Sequence, residues 1–204
     1  MKSRGTDPLE GLLKRYVDDF TTQNQAARII SEGLRVIGIG LWPVVDHLTF
    51  RTLDVEKRSR EFLKHGYQYD SKLGILEYNN WFAKVYRRAG YPALFIDQAF
   101  LGKRGEGSVI PDWVAAFGDH TLHHVAIRID DIEKAVFYLE KQGVKFAGEI
   151  VGDRGADLRQ IFTQPEMKKG KAFSVVELTE RHRGFDGFSP PQANRLMEST
   201  RVSY

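Results

Sequence analysis

Two histidines and one glutamate are the residues of this sequence best suited to bind a metal ion. His47 and His124 each lie in a segment whose alternating apolar residues predict a β-strand. Glu177 lies inside the apolar run AFSVVELTER, where a carboxylate is out of place unless it is paired or binds a ligand. Two imidazoles and one carboxylate form the facial triad that suits non-haem iron and leaves coordination positions open. The expected cofactor is therefore Fe²⁺.

The chain repeats itself at an interval of 77 residues. The two units are VDHLTFRTLDVEKRSREFLKHG and LHHVAIRIDDIEKAVFYLEKQG. The residues of the first unit that return unchanged 77 positions later are His47, Arg51, Asp54, Glu56, Lys57, Lys64 and Gly66. Each unit predicts a strand, then a helix with an aspartate N-cap and a closing glycine, then three further strands. An isolated histidine is more often a core residue that hydrogen-bonds to backbone groups. The duplication nevertheless predicts that both histidines meet at one shared axis.

We expect the chain to form one compact body of five parts. Apolar residues at helical spacing predict two N-terminal helices that break near residues 21–24, and after Pro43 the period changes to two. The expected fold is α+β, with an N-terminal helical extension (1–43), a first βαβββ module (44–101), a linker (102–121), a second βαβββ module (122–181) and a C-terminal loop with a short helix (182–204).

Composition excludes several classes of function. The 204-residue chain is 42% hydrophobic and has no cysteine, which removes disulfides, thiolate nucleophiles and zinc–thiolate sites. The sequence has neither an apolar run of membrane-spanning length nor a signal-peptide core, so we expect a cytoplasmic protein without a membrane partner. The net charge of +3, with Lys and Arg spread among 27 acids, gives no reason to expect a nucleic-acid partner. Whether the chain is a monomer or a homodimer stays open.

Alternation along the strands predicts which side chains share a face with the histidines. Arg51 falls on the face of His47, and Arg128 falls on the face of His124. His123 should point at the covering helix or the sheet edge. Since the helix of each unit covers the apolar face, the opposite face should line an interior cup in which Arg51 and Arg128 bind substrate. Two arginines beside a metal favour a dianionic substrate and match an aromatic keto acid less well, although pairing with internal acids is the alternative role for both arginines.

The order of the short motifs resembles that of known enzymes. The paired βαβββ units are similar to the vicinal oxygen chelate superfamily, in which two modules form a cupped half-barrel around a metal. The second module resembles the catalytic half of 4-hydroxyphenylpyruvate dioxygenase in the segments LHHVAI, DLRQIFTQP and FSVVELTERHRGF. The first half looks more like the 2-oxoadipate dioxygenase/decarboxylase family, also called hydroxyglutarate synthase, in the segments LLKRYVDDFTTQNQAARIISEGL, DHLTFRT and PALFIDQAF.

This resemblance implies a reaction and a role for each site residue. The reaction would be that of a non-haem Fe²⁺-dependent dioxygenase, which uses O2 to decarboxylate a small 2-oxo acid and to hydroxylate the remainder of the same molecule. His47, His124 and Glu177 would hold the metal. Arg51 would bind a substrate carboxylate, which favours a dicarboxylate like 2-oxoadipate, and Gln160 would donate to substrate oxygens.

Two other classes of function stay open. A glyoxalase-like metal-dependent isomerase or lyase would take a fourth ligand from the last strand of the first module, so Asp97 facing the metal would favour that class. A non-catalytic module that sequesters a small molecule would need no metal, and the three nitrogen and oxygen ligands argue against it.

The C-terminal segment is a candidate lid. Phe185 and Phe188 follow Glu177 closely and precede a helix that the pair Pro190-Pro191 can open. We expect the two phenylalanines to contact substrate and the segment to close over the cup, which would exclude water. A helix that only packs on the sheet is the equally weighted alternative.

Overall fold

The computed structural model describes residues 7–200, which form an α+β structure as expected. The helices described are α1 (Pro8–Gln23), α2 (Gln25–Val36), α3 (Val55–Leu63), α4 (Ile110–Phe117), α5 (Ile132–Lys141) and α6 (Pro190–Ser199). The strands described are β1 (Val45–Arg51), β2 (Gln68–Tyr69), β3 (Ile75–Glu77), β4 (Trp81–Arg87), β5 (Ala93–Ala99), β6 (Leu122–Ile129), β7 (Phe146–Val151), β8 (Leu158–Thr163), β9 (Glu166–Lys168) and β10 (Lys171–Arg181). No helix within residues 7–200 has the length and apolarity needed to cross a membrane.

The strands form one sheet whose two halves mirror each other. The strand order is β2-β4-β5-β1-β6-β10-β8-β7, with β3 paired to β4 and β9 paired to β10. In each half the first strand runs parallel to the last, β1 beside β5 and β6 beside β10. The two first strands, β1 and β6, meet antiparallel at the centre. This seam joins the two strands that carry the repeated histidines.

The repeat builds the same local structure twice. Asp54 and Asp131 each accept a hydrogen bond at 2.9 Å from the backbone N–H three residues later, which caps the first turn of α3 and of α5. Gly66 and Gly143 follow these helices with φ values of +83° and +88°, a left-handed conformation that glycine adopts at the lowest cost. The predicted break between the two N-terminal helices is confirmed at Asn24, whose side chain caps α2.

The main hydrophobic core lies between the sheet and helices α1, α2, α3 and α5. Leu48 and Phe50 of β1 are completely buried in it. The Phe50 ring packs on Tyr16 and Phe62 at centroid distances of 5.0 Å and 5.2 Å. Since neighbouring residues of a strand face opposite sides, this packing turns His47 to the other face of the sheet.

The segment expected to be a linker holds a further helix. Residues 102–121 contain a 3-10 turn at Gly102–Gly105 and helix α4, which has a proline in its first turn. Eight residues of mostly apolar sequence show no helical period of their own, so the pattern gave no signal for α4. Helix α4 lies over the face of the sheet that carries His47, called here the inner face, and its Trp113 is buried there.

Candidate metal centre

Three buried side chains meet at the centre of the sheet. His47 of β1, His124 of β6 and Glu177 of β10 offer ligand atoms that all lie within 4.8 Å of one another. The Nε2 atoms of the two histidines are 3.4 Å apart. Oε2 of Glu177 lies 3.6 Å from Nε2 of His47 and 3.3 Å from Nε2 of His124. Strand pairing produces this meeting, because His47 and Glu177 both pair with Ala126, a residue with a small side chain.

The three side chains fit a divalent metal ion. Ligand atoms at about 2.1 Å from one ion stand about 3.0 Å apart at right angles and about 3.4 Å apart at tetrahedral angles. The observed separations of 3.3 to 3.6 Å lie within a few tenths of an ångström of that range. The donors are two imidazole nitrogens and a carboxylate oxygen, a set that suits Fe(II) among the first-row metals.

His47 is held by a carboxylate that is itself fixed by an arginine. Oδ2 of Asp46 lies 2.9 Å from Nδ1 of His47, which turns Nε2 toward the other ligand atoms. Arg181 donates to both oxygens of Asp46 at 2.9 Å, and its Nη1 donates to the carbonyl of Gly187 at 2.7 Å. This guanidinium therefore connects a candidate metal ligand to the C-terminal loop.

A β-bulge places both histidines of the doublet on the inner face. Thr49 pairs with His124 and Phe50 pairs with Leu122, which leaves His123 as the extra residue. The prediction that His123 points at the covering helix or the sheet edge is therefore wrong. Its Nδ1 lies 3.0 Å from Nδ1 of His124. If His124 ligates through Nε2, its Nδ1 carries the proton and donates to His123, which fixes the ring.

The two oxygens of Glu177 have different partners. Nε2 of Gln160 and Oγ1 of Thr179 both donate to Oε1, so Oε2 is the oxygen that faces the histidines. Gln160 lies on β8 directly opposite Thr179 of β10. Gln160 thus orients a candidate ligand, and its contact with substrate stays a prediction.

Burial and mutual charge set the protonation of the triad. Burial alone would lower the pKa of His47, but Glu177 and Asp46 outweigh it and raise that pKa to about 9. Burial lowers the pKa of His124 to about 3, against the pull of Glu177. Burial would raise the pKa of Glu177, but the two histidines hold it at about 2. At neutral pH His47 is protonated, His124 neutral and Glu177 ionised, and a divalent ion would take the place of the His47 proton.

Arg51 and Asp97 are two buried ionisable residues on neighbouring strands beside the triad. They are partners in the ladder of β1 and β5, and are only 4% and 1% exposed. Nη2 of Arg51 lies 2.8 Å from Sδ of Met197, whereas Nε of Arg51 and Oδ1 of Asp97 have no hydrogen-bond partner among residues 7–200. Burial lowers the pKa of Arg51 to about 10, although the nearby Asp97 raises it. Burial raises the pKa of Asp97 to about 8, although the charge of Arg51 lowers it. These two atoms are available to hydrogen-bond a ligand or an ordered water molecule.

A cavity of about 30 Å³, called here the small cavity, lies in front of the triad. Asp97, Gln160 and Phe95 form part of its wall. The C-terminal segment closes it with Phe188, Ser189, Ala193, Leu196 and Met197. The Phe188 ring stands edge-on to the His47 ring at 5.1 Å. A cavity of this size holds about one or two water molecules, so a larger ligand requires the segment to move.

The structure does not bring every predicted residue to the centre. Arg128 is exposed. Because β1 and β6 run antiparallel, Arg51 and Arg128, each four positions after its histidine, lie about 13 Å from the histidines toward opposite ends of the sheet. The expectation of two arginines converging on one substrate is therefore not supported. Phe185 is half-buried and lies outside the walls of the small cavity, whereas Phe188 lines it.

Sequence reasoning missed the residues that hold the ligands in place. Asp46 adjoins His47 in the chain, and strict alternation would have put it on the opposite face of the strand. Thr179 and Arg181 follow Glu177 at alternating positions in β10, and that spacing was the one available signal for them.

Comparison with solved structures identifies the fold. Hydroxyglutarate synthase from Oryza sativa, solved in complex with 2-oxoadipate, matches with a TM-score of 0.72 and 18% identity over 97% of this chain and 93% of that chain. A protein of Shewanella frigidimarina NCIMB 400, provisionally described as a hydrolase, matches with a TM-score of 0.72 and 16% identity over 90% of this chain and 98% of that chain. A protein of Ralstonia eutropha JMP134, provisionally assigned to the glyoxalase superfamily, matches with a TM-score of 0.62 and 12% identity over 85% of this chain and 84% of that chain.

Neither a protein-family model nor a curated protein matches the sequence. At identities this low, the structural likeness establishes the fold and leaves the reaction to be argued from the site. The mirrored halves, each a βαβββ unit with one additional three-residue strand (β3 and β9), and the ligand group at their seam agree with that fold. The chain thus has a glyoxalase-like half-barrel fold, which is the fold that its sequence motifs indicated.

Proposed function

We propose that this chain is an Fe²⁺-dependent dioxygenase that decarboxylates and hydroxylates a 2-oxo acid. The observation that carries the proposal is the buried group of His47, His124 and Glu177, whose open side faces the small cavity. Its donor set matches the facial triad of non-haem iron oxygenases, which leaves coordination positions for substrate and O2. The fold that the chain shares with a hydroxyglutarate synthase solved with 2-oxoadipate supports a 2-oxo acid as substrate.

The overall reaction balances without a further reductant. The bond between C1 and C2 of the 2-oxo acid breaks, and C1 leaves as CO2. One oxygen atom of O2 completes the new carboxylate at the former C2, and the other becomes a hydroxyl group on the same molecule. Bound Fe²⁺ would supply the redox chemistry that allows O2 to react with the organic acid.

The residues of the chain would orient the reactants and exclude water. Asp46 and His123 hold the two histidine rings, and Gln160 holds Glu177. Arg51 has an unpaired Nε and stays charged at neutral pH, so it is suited to bind a substrate carboxylate remote from the metal. Phe188 closes the cavity against solvent beside His47.

Metal analysis followed by O2 measurements tests this proposal. Protein purified anaerobically and loaded with Fe²⁺ is expected to bind about one ion per chain through the triad. With the right member of a panel of 2-oxo acids, O2 consumed, CO2 released and hydroxy acid formed should be equal in amount. A protein that binds iron but consumes no O2 with any linear, branched or aromatic 2-oxo acid, with or without a second carboxylate, would contradict it.

One observation favours an isomerase or lyase as the second candidate. Asp97 is buried in the wall of the small cavity with an unpaired oxygen, so it could move a proton on a metal-bound substrate. Of the described residues, however, only the triad offers ligand atoms within 4.8 Å of one another, so Asp97 is not a fourth ligand in this arrangement. Conversion of a substrate under strict exclusion of O2 would decide for this class.

The C-terminal segment gives a prediction that follows from the oxygenase proposal. Replacing Phe188 with alanine, or truncating the chain after Arg183, is expected to leave metal binding intact while O2 consumption exceeds product formation, because water reaches the metal. The measurement is the ratio of hydroxy acid formed to O2 consumed. Truncation also removes Leu196, which packs on Val151 and Phe162, so the point variant is the cleaner test.

The matched control is Phe185→Ala. This ring lies three residues before Phe188 and outside the walls of the small cavity, so its loss should leave the ratio unchanged. Tight coupling in the Phe188→Ala protein would show that the segment only packs on the sheet.

A further inference from the structure

A second cavity, called here the large cavity, lies beside the metal centre. Its volume is about 440 Å³, within the range of small-molecule sites. It lies between helix α4, the first half of β10 and the end of α6. Its apolar wall includes Val109, Trp113, Phe117, Phe173 and Val175. The charged or ionisable side chains that line it are Arg51, Asp112, His123 and Lys171.

The aromatic wall of the large cavity is fixed in place. The indole Nε1 of Trp113 donates to the carbonyl of Phe173 at 2.7 Å, so its polar group is already satisfied. The rings of Trp113 and Phe173 are parallel to within 6°, and the Phe117 ring meets Trp113 at 5.4 Å. A rigid wall of aromatic rings favours a flat apolar ligand, since little side-chain entropy is lost on binding.

Arg51 lies where the large cavity adjoins the metal centre. Its guanidinium carbon is 5.5 Å from the centre of the Trp113 ring, and Nη2 contacts the sulfur of Met197. A thioether is a weak acceptor, and Nε of Arg51 has no partner within the described part of the chain. A buried cation that lacks acceptors beside an open cavity is suited to receive an anion.

The sizes of the two cavities indicate which part of a ligand each of them can hold. The small cavity of about 30 Å³ cannot hold more than a few atoms, whereas the large cavity offers about 440 Å³. Met197 lines both cavities, so a shift of this flexible side chain would join them. A third cavity, of about 130 Å³, also shares Met197 with the small cavity, so the large cavity is the roomier of these two places for the part of a ligand that extends from the metal.

We propose that the large cavity binds the part of the substrate beyond its 2-oxo acid group, and that this part carries an aromatic ring on Trp113 and an acid group on Arg51. The identification of this ligand as the substrate rests on the proposed function. The binding preference of the cavity does not depend on the proposed function, because none of the aromatic residues in its wall belongs to the triad.

Binding of two simple acids to the metal-free protein tests the preference. The probes are 3-phenylpropionate, which has a ring and a carboxylate, and adipate, which has two carboxylates and no ring. We expect 3-phenylpropionate to bind at least about ten-fold more tightly by calorimetry and to change the fluorescence of Trp113. Equal or tighter binding of adipate would overturn the proposal.

Two substitutions at one position isolate the ring. Trp113→Phe and Trp113→Leu both lose the hydrogen bond to the carbonyl of Phe173, but only leucine removes the aromatic wall. Trp113→Phe should keep the affinity for 3-phenylpropionate and Trp113→Leu should lose about ten-fold. Equal affinities in the two folded variants would also overturn the proposal. The wild-type comparison stands even if one variant fails to fold.

The same experiments separate this proposal from the proposed function. Neither metal nor O2 is present, so a failed ring preference leaves the iron and O2 measurements untouched. Conversely, a protein that prefers 3-phenylpropionate but binds no iron would keep the cavity assignment and lose the oxygenase.

Discussion

Replacing Glu177 with alanine is expected to lower the affinity for Fe²⁺ by more than about 100-fold, because loss of a ligand costs more than loss of a residue that orients one. The same result is expected for His47→Ala and His124→Ala, since each removes one of the three atoms that lie 3.3 to 3.6 Å apart. Anaerobic titration with Fe²⁺, followed by metal analysis of the desalted protein, measures the effect. Glu177→Gln adds a test of charge, as it keeps the shape of the side chain.

Two sets of control variants should lose less metal affinity than the ligand variants. Asp46→Ala and His123→Ala should each cost roughly 10- to 100-fold in metal affinity, because these side chains hold the ligand rings without touching the ion. His120→Ala should cost nothing, since that imidazole is 72% exposed outside the group. Full iron occupancy in all three ligand variants would show that the triad is not the metal site.

Replacing Arg51 with lysine is expected to weaken substrate binding about 10- to 100-fold, the effect of losing charge-assisted hydrogen bonds to a carboxylate. The lysine keeps the positive charge but lacks the planar fork, so two parallel contacts become one. Iron binding should be unchanged, because Arg51 offers no ligand atom. Substrate affinity measured by calorimetry on the anaerobic iron protein, beside its metal content, separates the two effects.

The repeat supplies the matched control for this substitution. Arg128 stands 77 positions after Arg51, at the equivalent place of the second unit, and it is exposed. Arg128→Lys should leave substrate affinity and iron content at the wild-type values. Loss of iron in Arg51→Lys with unchanged substrate affinity would refute the role given to Arg51.

The fold and the triad could be predicted from the sequence because the duplication shows the same weak pattern twice. A strand with His47, a cap at Asp54 and a glycine at position 66 reappear in register, and so the two units had to adopt the same local structure. Glu177 stood out because a carboxylate in an apolar strand needs a partner.

The remaining parts of the site depend on features that sequence periodicity does not carry. The bulge at His123 reverses the alternation that predicted its direction. The antiparallel seam sends Arg128 away from Arg51, and the pattern of one strand contains no information about the direction of its neighbour. Helix α4 is too short to show a period, so the wall built around Trp113 could not be foreseen.

The mirrored strand order also explains why one side of the metal would be open. Thr49 and Ala126 are equivalent positions of the repeat, 77 residues apart, and they pair with Phe95 and Glu177 respectively. The pseudo-twofold counterpart of the carboxylate ligand is therefore a phenyl ring, which cannot coordinate. Under the proposed function, the second half would supply two of the three ligands and the first half one, and this difference between the halves would leave coordination positions free for substrate and O2.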